Sequence, residues 1–398
     1  MALISVDEAR AQILKLINPL VSEEVKIAEA LGRSLTAPVV ASRTLPPWDN
    51  SAMDGYAVRS GDLSTLKVIE KIFAGDVPTR EIVAGTCARI MTGAPMPRGA
   101  DAVVMQEKTK ALDGDRVEIL EAPKTGANVR RRGEDVQAGA LLFPPGRELG
   151  LGDAGALWGQ GLERVHVRRR PRVSVVSSGD ELCDVGAVAE GKIVDSNSPV
   201  IASLARSAGA IATQAGRAAD SLESMRALFT KGLEADVLIT VAGASVGEKD
   251  FTREALVSLG VEIDFWKVAM KPGKPLAFGR RGATLVFGLP GNPLSAMVTF
   301  EVFVRPALRA LQGLQAFGVS LPARAAEAIR KPAGLRHFAR ATWEVRGGEI
   351  WAIPLRSQSS GSLSSASGAT CLIDVPEGAE DVEIGSHCEL LAVPWGVP

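Results

Sequence analysis

Residues 171–182, PRVSVVSSGDEL, pass from a short β-branched run into a polar turn that carries a glycine and two carboxylates. Residues 173–176 have the length and composition of a buried strand. The same change recurs twice downstream: Val237–Val241 runs into VAGASVGEKD (241–250), and residues 284–287 run into LPGNPLS (289–295). Helical stretches separate them. Asn197 or Ser198 with Pro199 opens a helix that runs to about Ala208 and stops at Gly209. Asp220 with Glu223 caps the next. Asp250 caps a helix to Leu259 that ends at Gly260, and Asn292-Pro293 opens one through Val304. This βαβ rhythm over 171–317 predicts a mainly parallel sheet covered by helices. In such a sheet the three polar loops gather at the carboxyl edge, where ligands bind, and loop amides and helix N-termini favour anions. One such loop alone reads more readily as a tight turn; three at one edge favour a ligand site.

Outward from this centre the texture is different on both sides. Residues 318–398 are short strands: TWEVRGGEIWAI is a hairpin turning at Gly347-Gly348, TCLIDVP and HCELLAV follow, and SQSSGSLSSASG (357–368) is a loop or weak strand. A small C-terminal β-barrel or sandwich is expected. Residues 46–135 are β-rich, with LKVIEKI and DAVVMQE as strands and an Asp113-Gly114 turn before RVEIL. Residues 136–170 read as a return connection that pairs with 20–45. Residues 5–17 read as a helix, with Ser5 and Glu8 at capping-box spacing, an apolar face of Val6, Ala9, Ile13, Leu16 and Ile17, and Pro19 at its end.

Composition bounds the function. At about 100–200 residues per domain, 398 residues make two to four domains, and 46% hydrophobic content is globular. Forty-five basic against 46 acidic residues, net −1, argue against nucleic acid as the main partner, so Arg168-Arg169-Arg170 reads as a solvated face. MALISVDEAR does not read as a signal peptide, and no apolar run of about 18 residues spans a membrane. A cytoplasmic setting is expected, with Cys87, Cys183, Cys371 and Cys388 as free thiols. His166, His337 and His387 are scattered, so a metal here would be a hard cation held by oxygens rather than zinc.

Four further segments bear on chemistry. KPGKP (271–275) holds Lys271 and Lys274 on a stiff turn, suited to phosphate or another oxyanion or equally to solvent. PPWDNSAMDGYAV (46–58) carries Asp49, Asp54 and Tyr56 on a fixed non-regular backbone, either a functional loop or a linking turn with Trp48 as a core plug. NVRRRGEDV (128–136) on its own is a surface ion-pair cluster, and RIMTGAPMPRGAD (89–101), with Thr92, is a turn. Carboxylates therefore dominate these loops: Asp49, Asp54, Asp135, Asp180, Glu181 and Asp250. Such a set suits a magnesium ion held against a phosphate and displacement at an oxyanion.

Together PPWDNSAMDGYA, TGAPMP, RRRGED, SSGDEL, DSN, GASVGEKD, KPGKP and LPGNP, in this order, resemble the molybdopterin molybdenumtransferases, the bacterial MoeA proteins and the E domain of gephyrin. The resemblance spans essentially the whole chain. It implies a multidomain α/β plus β protein: an elongated connecting domain (1–45 and 136–170), a β-rich domain (46–135) closing the site across a homodimer, a molybdopterin-binding α/β domain (171–317) and a C-terminal β-barrel (318–398). It implies transfer of molybdate to adenylyl-molybdopterin with release of AMP and a requirement for Mg2+. By motif, Asp54, Thr92, Asp135, Glu181 and Asp250 match positions important for activity, and Glu181 and Asp54 are the implied metal ligands. Lys271 and Lys274 match the oxyanion turn, Pro290 and Pro293 the proline loop, and Arg130, Gly243 and Ser245 further binding positions. Two departures stand out. Val241-Ala242-Gly243 replaces the family's Ser/Thr-Gly-Gly, so Ala242 is expected at negative φ, and Ala219-Asp220 replaces an Asp-Asp pair. Two other functions compete: a molybdopterin adenylyltransferase, which the flanking domains oppose, and a cofactor carrier or scaffold, which the full carboxylate set opposes. Molybdopterin adenylyltransferase and recipient molybdoenzymes are the expected partners besides a second copy.

Overall fold

The computed structural model describes residues 3–62, 64–241, 251–361 and 363–396. By contact density the chain forms two compact units. The first holds the chain through Thr36, Gly146–Gly150 and everything from Arg164 onward; the second holds Ala37–Pro145 and Leu151–Glu163.

At the centre of the first unit, among the described residues, is a six-stranded sheet: β1 (Arg172–Ser178), β2 (Ile211–Ala218), β3 (Val237–Val241), β4 (Glu262–Phe265), β5 (Ala277–Arg281) and β6 (Thr284–Leu289), in the order β2-β1-β3-β6-β5-β4. Strands β2, β1, β3 and β6 are parallel, and β5 and β4 add antiparallel pairs at one edge. The expected strands are all present. Strand β3 is buried at every position, as a sheet covered on both faces requires. Helix α1 (Val6–Lys15) carries the expected capping box: the Ser5 hydroxyl accepts from the Glu8 amide, and the Glu8 carboxylate accepts from the Ser5 amide. It ends four residues before Pro19, at Lys15. Helix α2 (Asn197–Ser207) stops at Gly209 as expected, but neither Asn197 nor Ser198 caps it; the Asp195 carboxylate does. Helix α3 (Leu222–Gly232) is capped by Ser221, whose hydroxyl accepts from the Ser224 amide. Asp220 is not the cap, because it is engaged with Asp180 instead. Helix α4 (Thr252–Ser258) begins beside Asp250, whose expected capping role lies outside the described residues. Helix α5 (Pro293–Thr299) continues past Val304 through a π turn at Phe300–Val304 into α6 (Arg305–Leu311).

The C-terminal region closes into a five-stranded barrel of β7 (Ser320–Ala325), β8 (Arg336–Arg346), β9 (Glu349–Pro354), β10 (Cys371–Val375) and β11 (His387–Ala392). Strand β8 pairs with both β9 and β10, which closes the ring. The β8–β9 hairpin turns at Gly347-Gly348 as expected. Residues 357–368 are a loop with one 3-10 turn. The Arg168–Arg170 run is not simply solvated: both Arg169 terminal nitrogens bind the Asp236 carboxylate, and Arg168 donates to the Leu20 carbonyl. Arg164–Arg168 pairs antiparallel with Ser22–Lys26, the expected return connection.

The second unit holds a six-stranded mixed sheet among the described residues, in the order Ala102–Met105, Gly55–Val58, Thr86–Ile90, Thr65–Ile72, Arg116–Ile119, Thr109–Leu112. Leu141–Phe143 pairs with Val39–Val40, completing the return connection here. Gly55–Val58 lies between two strands. A Cβ at Gly55 would sit 1.9 Å from the Val104 carbonyl oxygen, so no other residue fits beside Asp54.

Candidate functional site

Strands β1, β3 and β6 end side by side at the carboxyl edge of the parallel sheet. There a cleft of about 640 Å³ is lined by the two described loops, with Glu181 on one wall and Pro290 and Pro293 on the other. The loop after β3, with Gly243, Ser245 and Asp250, lies outside the described residues, as does Ala242. Glu181 keeps an exposed carboxylate at this wall by folding back on Gly179, where φ is +146° and a Cβ would stand 2.6 Å from Glu181 Oε2. Beside it Asp180 and Asp220 each accept from the other's amide.

Two features lie outside the sequence reading, one in the cleft wall and one on β8. The first is Asp195, in the wall with Ser177 and Asn197. Burial works to raise its pKa; bonds from the Ser177 and Ser198 hydroxyls and the Ser198 and Asn197 amides outweigh that and hold it below the usual carboxylate range. The second is Arg340. Its side chain is 0% exposed, it has no carboxylate partner among the described residues, and its Nε and Nη1 have no hydrogen-bond acceptor. Nη2 donates to the carbonyls of Ser357 and Ser359, and the same loop continues through Ser360, whose hydroxyl meets Asn292 Nδ2 at 3.1 Å, to Gly361 in the cleft wall. Lys271 and Lys274 are exposed on a turn that reaches the cleft at Pro275, and neither has an acidic partner among the described residues. Lys271 pairs in register with His337, whose imidazole is 4% exposed and is pushed down to about 4 by burial and by Lys271, Arg340 and Lys331, so it is neutral at pH 7. The cleft wall itself thus carries two carboxylates, Glu181 and Asp195, and the turn bearing Lys271 and Lys274 meets it at Pro275.

On the second unit, Asp54 Oδ1 accepts from both the amide (2.7 Å) and the hydroxyl (2.8 Å) of Thr92. These bonds, the amide first, and then the charge of Arg89 lower its pKa. Oδ2 has no protein partner among the described residues. Asp49 is fully committed: Oδ2 accepts from Arg131 and Oδ1 from the Arg132 amide, which fastens the PPWDN segment to RRRGED. Trp48 is half exposed, so it is not a core plug. Arg130 is exposed on a two-residue strand paired with Asn50 and Ser51. Asp135 lines a cavity of about 770 Å³ with Gly133 and Gln160, and Asp54 is not among its lining residues. Glu181, Pro290 and Pro293 therefore meet in one cleft, with the Lys271–Lys274 turn beside it, and Asp54 and Thr92 meet on the second unit. Burial pushes the Cys87 and Cys371 thiols up to about 12, which removes them as nucleophiles. No helix is long and apolar enough to cross a membrane among the described residues.

Family models place this geometry. The MoeA N-terminal region (domain I and II) matches residues 4–161, a probable molybdopterin binding domain matches 174–310, and the MoeA C-terminal region (domain IV) matches 322–393. The molybdopterin molybdenumtransferase of Haemophilus influenzae is 35% identical over 392 residues, covering 96% of this chain and 97% of that protein. Molybdopterin molybdenumtransferase 2 of Mycobacterium tuberculosis is 36% identical over 399 residues, 96% of each. The crystal structure of a molybdopterin biosynthesis MoeA protein from Pyrococcus horikoshii is similar with a TM-score of 0.85 at 28% identity, over 98% of this chain and 100% of that one.

Proposed function

This chain belongs to the MoeA family of molybdopterin molybdenumtransferases, enzymes of molybdenum cofactor biosynthesis, and from that premise we propose that it transfers molybdate to adenylyl-molybdopterin, releasing AMP and leaving molybdenum on the dithiolene. The observation that carries this is the cleft itself: a carboxylate at Glu181, a stiff proline loop, and the KPGKP turn with exposed Lys271 and Lys274, which meets the cleft at Pro275. A dianionic phosphate and an oxyanion supply the oxygens those donors lack.

Lys271 and Lys274 hold molybdate as point charges, and Arg340 adds a third positive charge behind the 357–361 loop. Pro290 and Pro293 fix the opposite wall, with Gly243 and Ser245 as further binding positions and Arg130 contributing from the second unit. Asp54, Thr92, Asp135, Glu181 and Asp250 form the catalytic set, with Thr92 orienting Asp54. Magnesium is bound by one or two carboxylates together with phosphate oxygens and water. Glu181 and Asp54 fit that demand, since among the described residues each keeps carboxylate oxygen free of protein donors, and no cage of three ligands is needed or found there. When bound, the ion neutralises phosphate charge as the anhydride breaks. The chain's own contribution is positioning and fixed charge.

The same reading divides the chain at 1–45 with 136–170, 46–135, 171–317 and 318–398. It makes the protein a cytoplasmic homodimer in which the SAMDGYA segment serves the cleft of the partner chain. It receives substrate from a molybdopterin adenylyltransferase and passes product to molybdoenzymes. The test is incubation with adenylyl-molybdopterin, molybdate and magnesium. AMP release dependent on molybdate supports the proposal. Consumption of ATP with free molybdopterin, or no turnover by folded dimer, overturns it in favour of an adenylyltransferase or a carrier.

A further inference from the structure

The segment Arg89-Ile90-Met91-Thr92 holds Asp54 at both of its ends. Its last residue, Thr92, donates twice to the Asp54 carboxylate. Its first residue lies in the strand Thr86–Ile90, which runs beside Gly55–Val58 with Arg89 opposite Tyr56 and Ile90 opposite Gly55. On the other side of Gly55–Val58 runs Ala102–Met105, with Met105 opposite Gly55. Gln106 follows, and its amide donates to the Asp54 carbonyl at 3.1 Å. Arg89 joins these pieces. Its Nη1 donates to the Gly55 carbonyl at 3.0 Å, its Nη2 donates to Gln106 Oε1 at 2.6 Å, and its guanidinium lies over the Tyr56 ring, 5.0 Å from the centroid. One planar fork thus grips the peptide that follows Asp54, the residue that holds the Asp54 carbonyl, and the ring two positions on. Among the described residues Arg89 makes no ion pair; the acceptors of its hydrogen bonds are neutral, and both belong to the frame around this one carboxylate.

We propose that Arg89 is a positioning residue for Asp54: its fork fixes the backbone from which the carboxylate hangs, as Thr92 fixes the carboxylate itself. This rests on the reading of Asp54 as one of the catalytic set. A side chain held by one oxygen is aimed only as well as its own backbone is held, and a displacement of about 1 Å in a reacting group costs about a hundredfold in rate. Arginine suits the task because its planar fork reaches two acceptors at fixed spacing and stacks on an aromatic face. Lysine keeps the charge but offers a point donor on a flexible stem, so it does neither.

The experiment is a double-mutant cycle on the full-length protein. Single-turnover AMP release from adenylyl-molybdopterin, with molybdate and magnesium, is followed in the parent and in Asp54→Asn, each with and without Arg89→Lys. In the parent background Arg89→Lys should slow release about ten- to thirtyfold, with melting temperature unchanged and half-saturating molybdate within about twofold. In the Asp54→Asn background the same change should slow the residual rate by less than about twofold, because the residue it serves is already disabled. Gln106→Met removes one acceptor of the fork and leaves the Gln106 amide on Asp54. It should give a smaller loss with the same pattern, and it is read in place of Arg89→Lys if that variant does not fold. Tyr56 is the only tyrosine of the chain, so 3-fluorotyrosine labelling gives a single fluorine resonance that should move in Arg89→Lys, reporting the contact without turnover. Equal losses in the two backgrounds overturn the proposal, since Arg89 then acts independently of Asp54. So does parental turnover in both Arg89→Lys and Gln106→Met beside a disabled Asp54→Asn, or a fluorine resonance that Arg89→Lys leaves in place. Near-parental turnover of Asp54→Asn by itself counts against the reading of Asp54, and this proposal falls with it.

Discussion

Asp54 in one compact unit and Asp195 in the other both have lowered pKa values, yet they are held in opposite ways. Asp54 stands on an exposed loop with one oxygen tied twice to Thr92 and the other untouched by donors among the described residues. Asp195 lies half-buried in the cleft wall with both oxygens filled. The shift alone does not separate them; the unfilled lone pairs do. A carboxylate that the fold has oriented but not satisfied is available for chemistry, and one that it has satisfied on both oxygens is part of the frame. Asp49, with both oxygens bound by Arg131 and Arg132, falls on the framing side although it lies in the same segment as Asp54.

The sharpest way to break this contrast is Asp54→Asn. The variant keeps the shape and is expected to fold, dimerise and bind adenylyl-molybdopterin, while AMP release falls at least about a hundredfold. Near-parental turnover at an unchanged melting temperature would move Asp54 to the framing class. Lys274→Ala comes next: the molybdate concentration giving half-maximal rate should rise about ten- to a hundredfold, the range of a lost charge-assisted bond. An unaltered molybdate curve removes the turn from the site. Thr92→Val deletes one of the two bonds to Asp54 Oδ1 and leaves the amide bond; turnover should drop about five- to tenfold with little change in substrate affinity. Equal losses in both would mean that the whole loop has moved.

The smallest effect belongs to Asp195→Asn, read as stability. The parent carboxyl titrates below its usual value of 3.8. Its stabilisation is therefore complete above the unfolded pKa and is lost as pH falls through the lower folded pKa. At pH 7 the asparagine variant should melt a few degrees lower, as expected for about 1 kcal/mol of hydrogen bonding. That gap should narrow below about pH 4. A gap that is constant from pH 7 to pH 2.5, followed by thermal melts, would show that charge has no part in the frame.

Much of the centre was legible in the sequence, because β-branched runs bounded by Ser, Gly and Pro leave few other readings. Strand β3 was read to the residue, and Gly209 and Gly260 did mark helix ends. The caps were less legible. Ala219-Asp220-Ser221 offers two adjacent capping residues, and only the fold reveals that Asp220 is drawn off by the Asp180 amide, leaving Ser221. Asp195 was visible within DSN, but nothing in those three letters says that Ser177, eighteen positions earlier, donates to it. Arg340 was hidden in HFARATW, which reads as an ordinary strand. The available signal was a charge at a position flanked on both sides by alanine, between apolar runs, where a solvated face would have alternated. Trp48 failed as a core plug because its segment is fastened by Asp49 and by the Pro46 carbonyl, which accepts from Gly133, and not by its indole.

The capped helix at the start of the chain carries a consequence for how the protein is made. Val6, Ala9 and Ile13 of α1 pack in one core with Phe338 and Leu372, the Val6 amide donates to Glu377, and Asp7 pairs with Arg336, which also grips Asp374. The Val6–Glu377 bond joins positions 371 residues apart. On a ribosome adding 5–20 residues per second, α1 emerges roughly 20–70 s before Glu377 exists. For that interval the helix lacks its bonds to the barrel, while the 37–145 sheet already has all its strands. Synthesis therefore completes the second unit long before the first can close, and a nascent chain stalled before residue 268 should present α1 as a chaperone-binding or protease-sensitive segment.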